Sequence, residues 1–133
     1  MEARCQCGQL TATITGEGHG VMCHCKACQR RSGSPFGMMV YFAAEDVKLS
    51  GTSTQYTRTA DSGDDLTHGF CPVCGTPFWL KTAKHPAGIG IAVGAIESNE
   101  SAGPVRSVFE ENRHPWVEVP DTAQRFPRGR DGR

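Results

Sequence analysis

The chain is 133 residues long, room for one domain whose folding takes roughly two thirds of the unfolded surface out of water. Fourteen Lys and Arg balance fourteen Asp and Glu, so net charge favours neither nucleic acid nor a membrane surface as a partner. With 38% hydrophobic residues and no apolar run near the ~20 residues a membrane helix needs, the composition excludes both disorder and membrane spanning.

Residues 10–15 alternate Thr with apolar residues, the period-two pattern of a half-buried strand. Gly16-Glu17-Gly18-His19-Gly20 ends it, and Val21-Met22 leads into a dense cysteine cluster. Residues 26–32 predict a short helical turn, stopped by Gly33-Ser34-Pro35. Residues 36–42 predict a strand, residues 47–49 a short extended piece, and residues 55–59 another strand before a polar loop over 60–65. Residues 66–70 run into a second CxxC-bearing cluster and residues 76–81 lead away from it. The β-branched stretch 88–93 predicts a central strand, and residues 107–111 one more. No segment sustains a helical period. The expected fold is mostly β with short helical turns only, one domain over residues 1–127, followed by a flexible, solvated tail over 128–133.

The start, Met1-Glu2-Ala3-Arg4-Cys5, has no basic segment leading into an apolar run, so no signal peptide is expected and the expected location is cytoplasmic. Thiols stay reduced there, and seven cysteines, an odd number, call for an explanation other than disulfides. They fall into three groups: Cys5-Gln6-Cys7-Gly8, Cys23-His24-Cys25-Lys26-Ala27-Cys28, and Cys71-Pro72-Val73-Cys74-Gly75. Cys-x-x-Cys-Gly is zinc-knuckle grammar: two thiolates grip one ion from a tight turn, and Gly lets backbone N–H groups approach the sulfurs. Cys-x-Cys works on extended backbone, where residues i and i+2 face the same side and Gln6 and His24 point away.

Structural zinc takes four protein ligands, and catalytic zinc takes three and keeps one position open. Seven divides as four plus three: the pairs Cys5/Cys7 and Cys71/Cys74 for one ion, the triple Cys23/Cys25/Cys28 for the other. Spacing leaves alternatives. Cys71/Cys74 can pair with two members of the triple across the forty-two intervening residues, a single structural zinc can sit among buried thiols, and Cys-x-x-Cys can be redox-active.

At these clusters the chain resembles the glutathione-dependent formaldehyde-activating enzyme family. The resemblance is carried by Cys5-x-Cys7-Gly8, Cys23-His24-Cys25-x-x-Cys28-Gln29-Arg30, Ser32-Gly33-Ser34-x-Phe36, Gly69-Phe70-Cys71-x-x-Cys74-Gly75-Thr76, and an ending with His114-Pro115-Trp116-Val117 and Arg125-Phe126-Pro127. It implies a Mss4-like β-tent fold and two zinc ions per chain, a structural one on Cys5, Cys7, Cys71 and Cys74 and a second on Cys23, Cys25 and Cys28 that carries the chemistry. It implies a carbon–sulfur lyase-type activity, condensing formaldehyde or a related aldehyde with glutathione to S-hydroxymethylglutathione, with glutathione or its adduct as the small-molecule partner.

A soft, already anionic three-thiolate zinc is a weak Lewis acid but accepts sulfur well, which favours delivery of a glutathione thiolate over polarisation of the aldehyde. Lys26, Arg30 and Arg31 lie beside the triple and are candidates to offset its charge or hold carboxylates, against a reading as solvated surface charges. His24 is expected to make a structural hydrogen bond rather than to ligate or shuttle protons. His19, His68, His85 and His114 have no recommending spacing; Phe36, Phe70, Phe78, Trp79 and Trp116 read as core or pocket wall. Ser32-Gly33-Ser34 reads as a plain turn before an anion cradle. Two rival readings remain: a non-catalytic zinc module binding a small thiol or a protein, and a thiol reductase like methionine sulfoxide reductase B, which needs a nucleophilic cysteine outside the zinc sites.

Overall fold

A computed structural model describes residues 1–99 and 103–132. Along the chain it places β1 (Glu2–Arg4), β2 (Thr11–Ile14), β3 (His19–Cys23), α1 (Lys26–Ser32), β4 (Gly37–Ala43), β5 (Val47–Ser50), β6 (Thr54–Thr59), β7 (Asp65–Phe70), β8 (Pro77–Thr82), β9 (Gly88–Ala92), β10 (Pro104–Val108) and β11 (Gln124–Arg125). The fold is mostly β, as expected, and it is of the Mss4-like type. Two sheets form, one of order β1-β2-β5 and one of order β11-β10-β3-β4-β9-β8-β7-β6. No helix among the described residues is long and apolar enough to cross a membrane.

The alternation in residues 11–14 does what its period requires: Ala12 and Ile14 are buried, and Thr11 and Thr13 face outward. With Ala3 and Leu10 they cover one face of the large sheet, where Val40, Phe42, Trp79, Ile89 and Ile91 form the core. Burying a side chain such as Ile91 or Phe78 completely contributes about 1.5–3 kcal/mol. The stretch around β9 is interior to the large sheet, between β4 and β8, which is why its residues are apolar on both faces.

α1 keeps the expected bounds. It stops at Gly33, whose left-handed backbone (φ 66°) lets its N–H reach the Gln29 carbonyl. The Ser32 hydroxyl donates to the Cys28 carbonyl at 2.8 Å, and the Ser34 N–H donates to Ser32 Oγ at 3.3 Å, so Ser32-Gly33-Ser34 is a helix-ending turn. The expected strand over 107–111 is corrected: β10 begins earlier and ends at Val108, because Phe109 adopts φ 56° and turns the chain into a 3-10 turn, Glu110–Asn112. β1, β3 and β11 were not foreseen. Arg128 to Gly132 packs against the body: the Phe109 N–H donates to the Arg128 carbonyl at 3.0 Å, and Lys84 pairs with Asp131. Arg133, the end of the expected tail, lies outside the described residues.

Gly69 faces Trp79 across the β7–β8 pair, and a Cβ there would stand 2.1 Å from the indole Cε2. That indole is buried and donates to Ser53 Oγ at 3.2 Å, so it has little freedom to retreat. Gly69→Ala is therefore expected to destabilise the fold by about 1–3 kcal/mol, the usual cost of overpacking, read as a shift of the urea midpoint at unchanged slope.

Candidate metal centres and the cavity above one of them

Gly8 and Gly75 each end a cysteine turn with positive φ, 85° and 78°. These turns carry Cys5/Cys7 from the end of β1 and Cys71/Cys74 from the β7–β8 connection to one point. All four sulfurs lie within 4.8 Å of one another. Cys7 Sγ stands 3.7 Å from both Cys5 Sγ and Cys71 Sγ. Sulfurs at the corners of a zinc tetrahedron, each ~2.3 Å from the ion, are about 3.8 Å apart, so the spacing fits.

Donors also converge on these sulfurs. Leu10 N–H reaches Cys5 Sγ at 3.3 Å, Cys7 N–H reaches Cys74 Sγ at 3.5 Å, and Gln9 Nε2 reaches Cys71 Sγ at 3.0 Å. The Thr76 hydroxyl, 3.2 Å from Cys74 Sγ, and the Thr76 backbone pull the Cys74 thiol down to about 5. A sulfur surrounded by donors is suited to the thiolate form that a metal takes.

The second cluster is local. β3 ends at Cys23, the backbone turns at Cys25, and α1 begins. Cys25 Sγ caps the helix by accepting the Cys28 N–H at 3.3 Å. The sulfurs of Cys23, Cys25 and Cys28 lie within 4.8 Å of one another. They share charge unevenly: hydrogen bonds from Cys23 and Cys28 lower Cys25, and the same contacts with burial push Cys23 up. Three thiolates this close repel, and a bound cation removes the conflict. Each cluster could thus hold one metal ion.

All three triad cysteines open into one large space, whereas of the four-cysteine set Cys5 lines a separate cavity of about 450 Å³. The triad's cavity, of about 560 Å³, is formed by one face of the large sheet. The strand register explains the lining. Directly opposed residues point to the same side, and Arg106, Val21 and Met39 are one such row, His19, Tyr41, Gly90 and Leu80 the next, Leu66 and Arg58 part of a third. The wall is apolar at Val21, Met39 and Leu80 and basic at Arg31, Arg58, Arg106 and Arg130.

Of the three candidate cations beside the triad, one faces it. Arg31 Nη1 donates to Cys28 Sγ at 3.4 Å, in space that Gly37 leaves open, where a Cβ would stand 2.4 Å from the guanidinium. Lys26 bonds Gln29 Oε1 instead, and Arg30 is exposed away from the cavity. Tyr41 is pushed up by burial and then by the Cys28 charge, so its hydroxyl stays protonated. His19 and His68 are lowered, chiefly by desolvation, and are neutral near pH 7.

His24 is fully buried behind the triad, Nε2 2.8 Å from Ser107 Oγ and its ring beside Phe36. Burial lowers its affinity for a proton, and Nδ1 has no hydrogen-bond partner among the described residues. This is the structural role expected of it. Gln29 and His114 went unforeseen. Gln29 Nε2 donates to the His24 carbonyl at 2.8 Å and the Asn112 carbonyl at 3.2 Å, and His114 Nε2 meets Gln29 Oε1 at 2.8 Å. The amide ties the triad's turn to the C-terminal segment. Gln29→Leu leaves two carbonyls and an imidazole without partners, at about 1–3 kcal/mol each, so a lowered thermal midpoint is expected with weaker metal retention at the triad.

The model of the glutathione-dependent formaldehyde-activating enzyme family matches residues 1–112. Among solved structures, a Rhodobacter sphaeroides protein is similar in fold, with TM-score 0.58 and 21% identity over 74% of this chain and 89% of that one. No curated protein matches the chain. The match over most of the length, with both cysteine clusters inside it, means that the chain belongs to the glutathione-dependent formaldehyde-activating enzyme family.

Proposed function

We propose that this protein is a zinc-dependent, carbon–sulfur lyase-type enzyme joining formaldehyde, or a related aldehyde, to glutathione as S-hydroxymethylglutathione. Cys5, Cys7, Cys71 and Cys74 hold a structural zinc, and Cys23, Cys25 and Cys28 hold the one at the reaction site. The observation that carries this reading is the contrast between the clusters: the three-sulfur set is one ligand short and faces a cavity of about 560 Å³, and the four-sulfur set is complete, with Cys5, Cys71 and Cys74 packed into the core. Zinc at the triad supplies positive charge that favours a deprotonated substrate sulfur near neutral pH.

The chain's own residues do the rest. Arg31 sets a guanidinium against Cys28 and offsets the negative charge of the triad. Val21, Met39 and Leu80 keep part of the wall dry, which strengthens every charge interaction inside. Tyr41 presents a protonated hydroxyl to the cavity, a donor suited to an aldehyde oxygen gaining charge. The balance is simple: the thiol loses its proton, a carbon–sulfur bond forms, and the former carbonyl oxygen ends as a hydroxyl.

Formation of S-hydroxymethylglutathione is expected to exceed the uncatalysed rate in exchange NMR with the protein as purified, carrying two zinc ions per chain. Two ions with no rate enhancement would turn the reading towards a thiol-binding module.

A further inference from the structure

The cavity wall holds more positive charge than the triad needs. Arg31 is engaged with Cys28, and Arg58 shares its end of the wall with Asp61. Arg106 and Arg130, like Arg58, make no ion pair among the described residues, and Asp131 on the same wall is paired with Lys84. The other arginine and lysine pairs are accounted for, with Lys84 on Asp131, Arg113 and Arg125 on Glu110, and Arg4 on Glu97. Arg106 faces the cavity from β10, opposite Val21. Arg130 comes from the C-terminal segment, which the Phe109–Arg128 backbone bond and the Lys84–Asp131 pair hold against the same wall. Burial and then the Arg130 charge weaken the hold of Arg106 on its proton, and both arginines act the same way on His19. Like charges gathered on a half-buried wall cost free energy unless an anion joins them.

We propose that Arg106 and Arg130 form a carboxylate subsite that takes the glycine-end carboxylate of glutathione. This rests on the reading of the cavity as the thiol's site. The glycine end suits it because that carboxylate has no ammonium beside it. The γ-glutamyl head carries an ammonium next to its carboxylate, which two guanidiniums repel. Arg58 and Asp61, on β6 and its following loop, give another part of the same cavity the mixed charge that complements that head. Arg130 lies beyond residue 112, where the family match ends.

The test is calorimetric binding of glutathione and of its glycine-end amide to the zinc-loaded protein, to Arg106→Gln and to Arg130→Gln. Wild type is expected to prefer glutathione over the amide by about 10- to 100-fold, the worth of a charge-assisted hydrogen-bonding contact. Each variant is expected to weaken glutathione to the level of the amide and to leave the amide unchanged. Arg130 is exposed, so its variant tests the subsite if Arg106→Gln folds poorly, and the amide comparison on wild type needs no variant at all. Glutathione bound by wild type with no preference over the amide, or a preference that survives both substitutions, overturns the subsite and leaves the cavity reading standing. Failure of wild type to bind either thiol overturns both.

Discussion

Cys71→Ser is expected to abolish cooperative folding. Cys71 is fully buried at the end of the core, and its sulfur lies 3.7 Å from that of Cys7, 64 positions earlier in the chain. An ion held by both pairs closes that long loop. By the chain-entropy reasoning used for disulfides, a closure of this length is worth about 4 kcal/mol on its own. The whole binding free energy of a structural zinc, about 10–16 kcal/mol at pH 7, is coupled to folding because the site does not exist in the open chain. Domains of this kind have about 5–15 kcal/mol of stability in total. Losing one ligand of four forfeits a large share of that free energy, comparable to the reserve, and it acts on the tie between the end of β1 and the β7–β8 turn. Circular dichroism melts and zinc content check this. A cooperative melt with one zinc lost and the midpoint within a few degrees of wild type would show that the four-cysteine cluster is not the staple described.

The sequence was most legible where one local rule decided the outcome. Thr11-Ala12-Thr13-Ile14 alternates and is a strand with one buried face; Lys26 to Ser32 followed by Gly33 is a helix with a left-handed cap. Counting offered the four-plus-three division of the cysteines among alternatives, the family resemblance implied it, and the structure gathers the same four and the same three. What was missed depended on distant partners. β3 begins in a glycine-rich stretch that reads as a turn, yet Gly20 sits in a strand, at a place where a Cβ would approach Met38 Cε at 2.9 Å with Pro104 close behind. Pairing with β4 on one side and β10 on the other overrides the local preference. The cavity arginines come from α1, β6, β10 and the C-terminal segment, and no spacing between residues 31, 58, 106 and 130 announces that one sheet face collects them. The same holds for the contact of His114 with Gln29, 85 positions apart.

Cys28→Ser should separate the two centres, because it removes a ligand without removing a long-range tie. The triad spans only residues 23–28, so the loop it closes is short and its closure adds little to stability. The turn keeps other supports: Cys25 Sγ still accepts the backbone N–H of residue 28, and Gln29 still bonds the His24 and Asn112 carbonyls. The expected protein is folded, with its thermal midpoint lowered by about 2–8 °C per kcal/mol lost at the buried site. It retains one zinc instead of two, and forms S-hydroxymethylglutathione at the uncatalysed rate. Arg31 supplies an internal check on cause. It offsets the charge of the triad through Cys28 without being a ligand, so Arg31→Gln should keep both ions and slow the reaction only in part. A Cys28→Ser protein that holds one zinc and still matches the wild-type rate would place the chemistry elsewhere, since no other cysteine cluster among the described residues faces the cavity.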